Sequence, residues 1–373
     1  MRKVPYIDLS VSQEAYQERI VPLLSTVFLS GSFVGGNAIE TFERHFAQYC
    51  GAKYAVALNS GTDALILALK ALDIGVSDEV ITVSNSFIAT ANAIEWVGAK
   101  AVFVDIGEDL LMDASVIEAA ITPRTKAIIP VHLMGLPCDM EAINVLAKRH
   151  NLFVIEDAAQ SVGTLYQGKK TGTLGHIGCF SLHPLKNLGG IGDGGMVTTD
   201  DALLAERIRM LGNHGLKSRD EQVCIGTVSR LDTLNAVVLN ERLGEVDAVI
   251  MRRRERAKLY DRYLEGIEEV KTIQEFTCKQ HSYHTYIIKV EHRDALQAFL
   301  AEQGIETKIH YPTLIHHQKP YLNNRTHALM NSERLVKKIL TLPIAHVTQE
   351  DIKYVCTTIK AFYERMTCEN SHY

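Results

Sequence analysis

A lysine between a proline and a glycine-rich loop is the residue of this sequence best suited to covalent chemistry. Lys186 lies two residues after Pro184, and five of the seven residues from Gly189 to Gly195 are glycine. A solitary lysine is usually a solvated surface charge, but one that such a loop holds in place can form a Schiff base with a carbonyl group. The glycines either turn the backbone tightly beside a ligand or serve only the local geometry, and their spacing is not that of a P-loop.

A carboxylate ends an apolar segment that precedes this lysine. Asp157 closes the segment 154–157, which reads VIED and is followed by AAQS. In an α/β sheet, the carboxyl ends of the strands face the ligand. Asp157 can therefore keep the pyridine nitrogen of a bound pyridoxal phosphate protonated, which makes the ring a better electron sink. It can equally cap the next segment, and this fragment alone leaves both interpretations open.

The sequence Asn59-Ser60-Gly61-Thr62 lies between a predicted strand and a predicted helix. Free backbone N–H groups and the helix dipole attract a phosphate at such a position, and Gly61 lets the backbone approach the ligand closely. Serine and threonine also favour helix N-caps without any ligand. The turn indicates a phosphate site only together with other residues.

Short apolar segments rich in β-branched residues alternate with helical patterns in the first part of the chain. The predicted strands span residues 54–58, 79–83, 101–104, 127–131, 152–155 and 196–199. The predicted helices 62–72 and 140–150 carry apolar residues at three- and four-residue spacing. This alternation predicts an α/β fold whose mainly parallel sheet is covered by helices on both faces.

The later part of the chain shows a different pattern. Residues 231–263 predict one or two long charged helices, and the remainder contains one convincing strand pair, 286–290 with 307–311. We therefore expect a large domain at 1–246 and a smaller C-terminal α+β domain at 247–373, packed closely together. The basic run at 251–256 either contacts a diphosphate or forms a solvated helix face.

Composition excludes several classes of protein. The chain of 373 residues has a formal net charge of −5, which provides no general polycation for nucleic acid or an acidic membrane surface. Its seven cysteines are scattered without paired spacing, so neither a disulfide framework nor a zinc site is indicated. No apolar stretch approaches the roughly 20 residues that span a bilayer, and no signal peptide is recognisable. We expect a cytoplasmic protein.

Eight landmarks, read in order, give the sequence a family resemblance. They are LSGSFVGG with the following FE (29–43), SGTDAL (60–65), GVSDEVI (75–81), SFIATANAI (86–94), IEDAAQS (155–161), CFSLHPLKNLGGIGDGG (179–195), HYP (310–312) and TLP (341–343). With them the chain resembles the nucleotide-sugar aminotransferases of the DegT/StrS type, within the fold-type-I pyridoxal-phosphate enzymes. The resemblance covers nearly the whole chain, and the landmarks together are highly specific.

The resemblance implies a role for each residue that matches a family motif. Lys186 would bind the aldehyde of pyridoxal phosphate and later move the proton, and Asp157 would pair with the pyridine nitrogen. Gln160 would bind the ring hydroxyl and Phe87 would stack on the ring. The phosphate would be held by Ser60, Gly61, Thr62 and Ser181.

One position departs from the family pattern. The family usually has Asn-x-Arg in the segment 226–232, and its asparagine reaches the cofactor phosphate of the neighbouring subunit. This chain has Val228 at that position, while Arg230 remains. A homodimer with active sites at the subunit interface is still implied, with Arg230 near the cofactor, and Ser229 or a water would replace the lost contact.

The resemblance also implies the substrates. L-Glutamate would donate the amino group, and His183, Tyr311 and His316 would approach a nucleotide-linked keto sugar. The loop LGGIGDGG is similar to that of enzymes that aminate C3 of the hexose, which favours a dTDP-3-keto-6-deoxyhexose over a UDP-linked 3-keto-2-acetamido sugar or a 4-keto sugar. No metal site is expected at His316 or His317, because no carboxylate or cysteine follows at a suitable spacing.

Two further functions share these residues. A cofactor-dependent sugar dehydratase would carry histidine in place of Lys186, so the lysine argues against it. A regulatory or binding protein could keep the fold without catalysis, but the intact pair of Asp157 and Lys186 argues against that function as well.

Overall fold

The computed structural model describes residues 2–10 and 17–370. Its helices are α1 (Gln17–Ser30), α2 (Asn37–Cys50), α3 (Gly61–Ala71), α4 (Ala89–Trp96), α5 (Met140–Arg149), α6 (Ala202–Leu211), α7 (Thr233–Leu243), α8 (Val246–Leu264), α9 (Arg293–Glu302), α10 (Met330–Leu335) and α11 (Gln349–Asn370). Its strands are β1 (Tyr54–Leu58), β2 (Glu79–Val83), β3 (Lys100–Val104), β4 (Thr125–Ile128), β5 (Phe153–Asp157), β6 (Leu165–Tyr166), β7 (Lys169–Lys170), β8 (Ile177–Ser181), β9 (Gly195–Thr199), β10 (Leu216–Ser218), β11 (Glu221–Gln222), β12 (Val270–Thr272), β13 (Lys279–Gln280), β14 (Tyr286–Val290) and β15 (Ile339–Leu342). The strands and helices predicted for the first part of the chain are confirmed to within a few residues.

Within the described residues, seven strands form the main sheet in the order β1-β9-β8-β5-β4-β2-β3. Strand β9 runs antiparallel to both of its neighbours, β1 and β8. The other neighbouring strands pair in parallel. Because β1 and β8 both oppose β9, they run in the same direction as β5, and the carboxyl ends of all three meet at one edge. The mainly parallel sheet predicted from the sequence is confirmed.

The main sheet is buried on both faces. All five residues of β2 are buried, and its aliphatic side chains belong alternately to two separate apolar clusters. Val80 belongs to the cluster under α3, and Ile81 and Val83 belong to the cluster under α5. A fully buried aliphatic side chain of this kind contributes about 1.5–3 kcal/mol. Burial on both faces is typical of a parallel sheet between two helical layers.

The C-terminal sheet has β14 at its centre, with β12 and β15 on either side. The predicted strand at 307–311 is wrong as a partner of β14, because β15 occupies that side of β14. Only Lys308 forms a bridge, with Thr341 of β15. Beyond it the backbone leaves the ladder, and Tyr311 reaches Gln160 of the large sheet's edge.

Residues 315–335 pack against the main sheet although they lie in the C-terminal part of the chain. Ile315, Tyr321 and Leu329 belong to the apolar cluster that covers one face of that sheet. The N–H of Phe103 in β3 donates to the carbonyl of Arg325 at 3.1 Å. The predicted helices at 231–263 are two, α7 and α8, and the domain boundary at 246/247, which falls at the start of α8, stays a prediction.

The basic run in α8 combines exposed and buried side chains. Arg252 is exposed, as on the expected helix face, but Arg253 is buried. The guanidinium of Arg253 donates to the carbonyls of Tyr283 at 3.0 Å and His284 at 2.8 Å. Arg253 therefore fastens α8 to the segment that leads into β14. Among the described helices, none has the length and apolar character required to cross a bilayer.

A buried glutamate fastens the loop between β7 and β8. Glu156, which is fully buried in β5, accepts from the N–H groups of Leu174 at 2.6 Å, Gly175 at 2.7 Å and Gly172 at 2.7 Å. His132 Nε2 meets the same carboxylate at 2.9 Å. Since His132 Nδ1 accepts from a backbone N–H at 3.1 Å, Nε2 carries the hydrogen. This loop is held from within the sheet, directly beside Asp157.

Candidate active site

Three strand ends bring the predicted cofactor residues together at one edge of the main sheet. Asp157 is the last residue of β5, and Ser181 is the last residue of the neighbouring strand β8. Gly61 begins α3 shortly after β1 ends. Because these strands run in the same direction, the topology places the anionic, hydroxyl and backbone N–H groups on the side where α/β sheets bind ligands.

Asp157 is a buried carboxylate whose two oxygens are both engaged. Its Oδ2 accepts from the hydroxyl of Thr90 at 2.6 Å, and its Oδ1 accepts from the N–H of Ala159 at 3.1 Å. Asp157 and Thr90 are both shielded from solvent. These two hydrogen bonds fix the orientation of the carboxylate at the end of β5.

Lys186 is half-buried behind the edge of the sheet, where its backbone N–H donates to the carbonyl of His183 at 2.8 Å. Burial lowers the pKa of Lys186 from 10.5 to about 8, and the nearby charge of Asp157 opposes this shift. An amine of that pKa is about a quarter neutral at pH 7.5, against about one part in a thousand for an ordinary lysine. Lys186 is therefore prepared for nucleophilic attack on an aldehyde.

Gln160, Tyr311 and Phe87 form a connected group beside Asp157. The side-chain oxygen of Gln160 accepts from the N–H of Met134 at 2.6 Å, and its amide nitrogen donates to the hydroxyl of Tyr311 at 3.1 Å. Burial, reinforced by the charge of Asp157, raises the pKa of Tyr311. The ring of Phe87 lies 5.8 Å from that of Tyr311 and is 54% exposed, so one face of it is available to a ligand.

The phosphate turn is closely fitted to the end of β8. Ser60 caps α3 by accepting from the N–H of Asp63 at 3.1 Å. A Cβ atom at Gly61 would lie 2.7 Å from the Cβ of Ser181, so only glycine allows this approach. Thr62 lines a cavity of about 880 Å³, together with Lys70, Asn92, Trp96, Ile225 and Tyr321. The N-terminus of α3 thus borders an open space large enough for a ligand.

The glycine-rich loop is fastened by an asparagine that sequence reasoning missed. Asn235, buried in α7, accepts from the N–H of Ile191 at 3.0 Å and donates to the carbonyl of Asp193 at 2.8 Å. A Cβ atom at Gly190 would lie 2.1 Å from the Oδ1 of Asn235. Asn235 lies 49 positions after Lys186 along the chain, and a lone asparagine in a helical pattern gave no signal of this contact.

The predicted sugar residues already have partners within the chain. His183 Nδ1 accepts from the N–H of Leu185 at 3.2 Å. His316 bonds to Ser84 through Nδ1 at 2.7 Å and to Glu333 through Nε2 at 2.9 Å, and burial lowers its pKa. Glu333, 17 residues further along the chain, is the carboxylate partner that sequence spacing did not find, because only the packing of α10 brings it to His316. Their contact with a sugar stays a prediction.

The segment that departs from the family pattern flanks the phosphate turn. Ser229 is buried, and its hydroxyl donates to the side-chain oxygen of Asn59 at 3.2 Å. Val228 is largely exposed, and Arg230, also exposed, donates to the Oδ1 of Asn213 at 3.1 Å. Ser229 therefore braces the residue before Ser60 from within the same chain.

Thr90 is the other residue that sequence reasoning missed. It lies within the SFIATANAI landmark, in the first turn of α4, which begins at Ala89. The landmark could have indicated Thr90, whereas its contact with Asp157 depends on how α4 packs against β5.

The residues present fit pyridoxal phosphate. A buried, hydrogen-bonded carboxylate matches the pyridine nitrogen, and a lysine of lowered pKa matches the aldehyde. A helix N-terminus with no room for a side chain at Gly61 matches the phosphate.

A sequence profile of the DegT/DnrJ/EryC1/StrS aminotransferase family matches residues 14–360. The chain belongs to this family. The sequence resemblance is thereby confirmed, and the fold and the enzyme class follow from it: the protein is a sugar aminotransferase of the DegT/DnrJ/EryC1/StrS family.

Curated relatives in this family act on different sugars. The chain is 42% identical to a pleiotropic regulatory protein of Geobacillus stearothermophilus, over 96% of this chain and 98% of the relative. It is 41% identical to the dTDP-3-amino-3,6-dideoxy-α-D-galactopyranose transaminase of Aneurinibacillus thermoaerophilus, over 96% and 99%. It is also 41% identical to a UDP-N-acetyl-3-dehydro-α-D-glucosamine 3-aminotransferase of Acidithiobacillus ferrooxidans, over 96% and 97%.

Solved structures of the DegT/DnrJ/EryC1/StrS type agree with the fold. DesV of Streptomyces venezuelae, solved with a ketimine intermediate, superposes with a TM-score of 0.94 at 38% identity, covering 97% of this chain and 99% of DesV. NtdA of Bacillus subtilis, solved with bound pyridoxamine phosphate, gives a TM-score of 0.89 at 31% identity, covering 96% and 86%. The expected cofactor, pyridoxal phosphate with its pyridoxamine form, is confirmed for this family of enzymes.

Proposed function

We propose that this enzyme transfers the amino group of L-glutamate to C3 of a dTDP-3-keto-6-deoxyhexose, which gives a dTDP-3-amino-3,6-dideoxyhexose. The observation that carries the proposal is the convergence of Lys186, Asp157 and the Gly61 turn at one sheet edge, in a chain 41% identical to a dTDP-sugar 3-transaminase. The loop sequence LGGIGDGG at 188–195 supports C3 over C4. The cytoplasm, where nucleotide sugars are made, is the proposed location.

The chemistry divides between cofactor and protein. When bound, pyridoxal phosphate supplies an electron sink for the pair released at the carbon that loses its proton. Asp157 would pair with the ring nitrogen and keep it protonated, and Thr90 holds Asp157 in place through its hydroxyl. Lys186 would be the acid–base group that moves the proton in both half-reactions. Ping-pong kinetics are therefore expected.

The other predicted residues position the cofactor and the sugar. Gln160 presents its amide to the ring hydroxyl, and Tyr311 fixes the orientation of that amide. Phe87 offers its exposed face for stacking. Ser60, Gly61, Thr62 and Ser181 provide hydroxyl and N–H donors for the phosphate. His183, Tyr311 and His316 would approach the hexose or its diphosphate.

The enzyme works as a homodimer with its active sites at the subunit interface. Several large apolar side chains are exposed, including Leu29 at 91%, Ile225 at 88% and Trp96 at 78%. Ile225 and Trp96 line the cavity at Thr62. Phe28, Phe33, Val34, Phe87 and Val228 are exposed as well. Large apolar side chains that group on a surface usually mark a site of association, which supports a dimer. Arg230 would lie near the cofactor in that dimer.

The test is a coupled assay with purified, cofactor-loaded enzyme. L-Glutamate is added first, and loss of the visible band of the lysine-bound cofactor is followed. A dTDP-3-keto-6-deoxyhexose, a UDP-linked 3-keto-2-acetamido sugar and a dTDP-4-keto-6-deoxyhexose are then compared for restoration of the band and for an amino sugar in the mass spectrum. The proposal predicts the highest kcat/KM with the first sugar.

Two controls separate the parts of the proposal. Lys186→Ala must bind the cofactor without the visible band and must not turn over. Sedimentation at several protein concentrations must give a dimer. A higher kcat/KM with the UDP-linked sugar would show that the proposed dTDP-linked substrate is wrong. An unchanged spectrum after addition of glutamate would show that glutamate is not the amino donor.

The UDP-linked sugar is the second candidate substrate. The relative from Acidithiobacillus ferrooxidans is as similar to this chain as the dTDP-sugar transaminase is, at 41% identity. A sugar dehydratase is disfavoured because Lys186 is present. A regulatory role is supported by the names of some relatives, among them the pleiotropic regulatory protein of Geobacillus stearothermophilus, and catalytic turnover in the coupled assay would argue against regulation as the sole function.

A further inference from the structure

Two histidines and a glutamate come together in the part of the chain that follows Tyr311. His316 Nε2 lies 2.9 Å from Oε1 of Glu333, and His317 Nε2 lies 3.0 Å from the same oxygen. One ligand atom from each of the three residues lies within 4.8 Å of the other two. The histidines come from the short helical turn Ile315–His317, and the glutamate comes from α10.

The spacing of these atoms is that of ligands around one small cation. Ligand atoms about 2.0–2.1 Å from a zinc ion lie roughly 2.9 Å apart at right angles and roughly 3.3 Å apart in a tetrahedron. The two measured N···O separations, 2.9 and 3.0 Å, fall at the lower end of this range. Two imidazoles and one carboxylate are also a ligand set that zinc proteins use, with water at the remaining position.

Ser84 orients the imidazole of His316 in the way that metal-binding histidines are usually oriented. Its Nδ1 lies 2.7 Å from the hydroxyl of Ser84, and that hydroxyl also accepts from the backbone N–H of His316 at 3.1 Å. A metal-binding histidine normally bonds to a fixed partner through its second nitrogen. Ser84 is fully buried, while His317 and Glu333 are 48% and 41% exposed, so an ion can reach the cluster from solvent.

We propose that His316, His317 and Glu333 form a binding site for a divalent transition-metal ion of the zinc class. The bound ion would join the turn at 315–317 to α10. Tyr311, which bonds to Gln160 in the active site, lies four residues before that turn. Metal binding would therefore brace the segment that leads from Tyr311 to α10.

The test is calorimetric titration of the cofactor-loaded dimer with Zn²⁺ alone. Cys278 and Cys368 are exposed thiols, so every variant is made in a background with serine at both positions. We expect one Zn²⁺ per chain, with affinity reduced about a hundredfold in His317→Leu and in Glu333→Gln, and about tenfold in Ser84→Ala. A rise in Tm with Zn²⁺ should appear in the background protein and vanish in His317→Leu.

A matched control exists in another histidine–glutamate pair. His150 Nε2 meets Glu118 at 2.8 Å, without a second histidine in that contact. His150→Asn must leave the zinc affinity unchanged. Circular dichroism without metal checks that each variant is folded, and His317, being half-exposed, tolerates replacement. Equal zinc affinity in the background protein, His317→Leu and Glu333→Gln, or no stoichiometric binding, would overturn the proposal and leave the cluster as hydrogen bonds only.

Discussion

At the scale of single residues, the site depends on the surroundings of two charged groups, Asp157 and Lys186. The carboxylate of Asp157 accepts a hydrogen bond from the hydroxyl of Thr90, and burial lowers the pKa of Lys186 to about 8. The two groups also interact: the charge of Asp157 raises the pKa of Lys186 and so partly offsets the effect of burial. Each effect can be altered separately.

Thr90→Val removes the hydroxyl that donates to Asp157 and keeps the shape of the side chain. A hydrogen bond to a charged group contributes about 1.5–3 kcal/mol, so we expect the pairing of Asp157 with the ring nitrogen to weaken and pyridoxamine phosphate to bind about tenfold less tightly. Equilibrium dialysis measures this affinity. Thr90→Ser should restore it.

The matched control is Thr82→Val, since Thr82 is a buried threonine whose hydroxyl donates to the carbonyl of Ile129 at 3.0 Å instead. If Thr82→Val and Thr90→Val lower cofactor affinity equally, Thr90 has only a packing role.

The lowered pKa of Lys186 predicts how cofactor attachment depends on pH. The neutral amine is the nucleophile, so the rate with apo-enzyme should rise with pH and level off above the pKa of about 8. Stopped-flow absorbance between about pH 6.5 and 9.5 follows it. In Asp157→Asn the midpoint should fall, because the charge that raises the pKa of Lys186 is lost. A midpoint near that of free lysine would contradict the prediction.

At the scale of elements, the glycine-rich loop and α7 form one unit through Asn235. Gly190→Ala would push a methyl group into the Oδ1 of Asn235, 2.1 Å away, and break its bond to Ile191. We expect a loss of about 2 kcal/mol in the free energy of unfolding, together with weaker cofactor binding. Urea unfolding and cofactor titration measure the two effects.

Gly192→Ala is the matched substitution in the same loop. A Cβ atom at Gly192 meets nothing within 4 Å, so its free energy of unfolding should change by no more than about 0.5 kcal/mol. Equal losses in the two variants would mean that Asn235 does not fasten the loop.

The sequence predicted elements well where the pattern is local, and less well where position depends on packing. Strand ends such as Asp157 follow from an apolar run and its terminus, so the sheet edge was correctly expected. The segment 307–311 has the residue types of a strand, but β15 takes the place beside β14. Likewise the contact of Glu333 with His316 arises only when α10 packs beside the turn, which no local pattern encodes.

At the scale of the whole molecule, one buried histidine, His281, and two partly buried ones, His284 and His310, have lowered pKa values. Burial lowers the pKa of His281 to about 3 and that of His310 to about 4, and it lowers the pKa of His284 well below 6.5. Positive groups deepen these shifts, including Arg254 at His281 and Lys186 at His284 and His310.

These shifts predict a loss of stability in mild acid. Below about pH 6.5 these three histidines take up protons in the unfolded chain but not in the folded chain, so their contribution to stability is complete above that pH and falls as the pH decreases toward 5. Urea unfolding across this range gives the slope. His281→Asn keeps an acceptor for the N–H of Tyr283 and should reduce the slope by up to about 1.4 kcal/mol per pH unit. His292→Asn, at an exposed position, should leave it unchanged.

The carboxylate of Glu156 should make the amides of the loop between β7 and β8 exchange hydrogen as slowly as the amides of a strand. The amides of Gly172, Leu174 and Gly175 point into that buried carboxylate, so they can exchange with deuterium only when the sheet beneath them opens. Their protection should match that of β5, and Glu156→Gln should remove it, as mass spectrometry or NMR would record. Because Asp157 is the next residue, the slow amides of this loop report how often the cofactor's anchor itself comes loose.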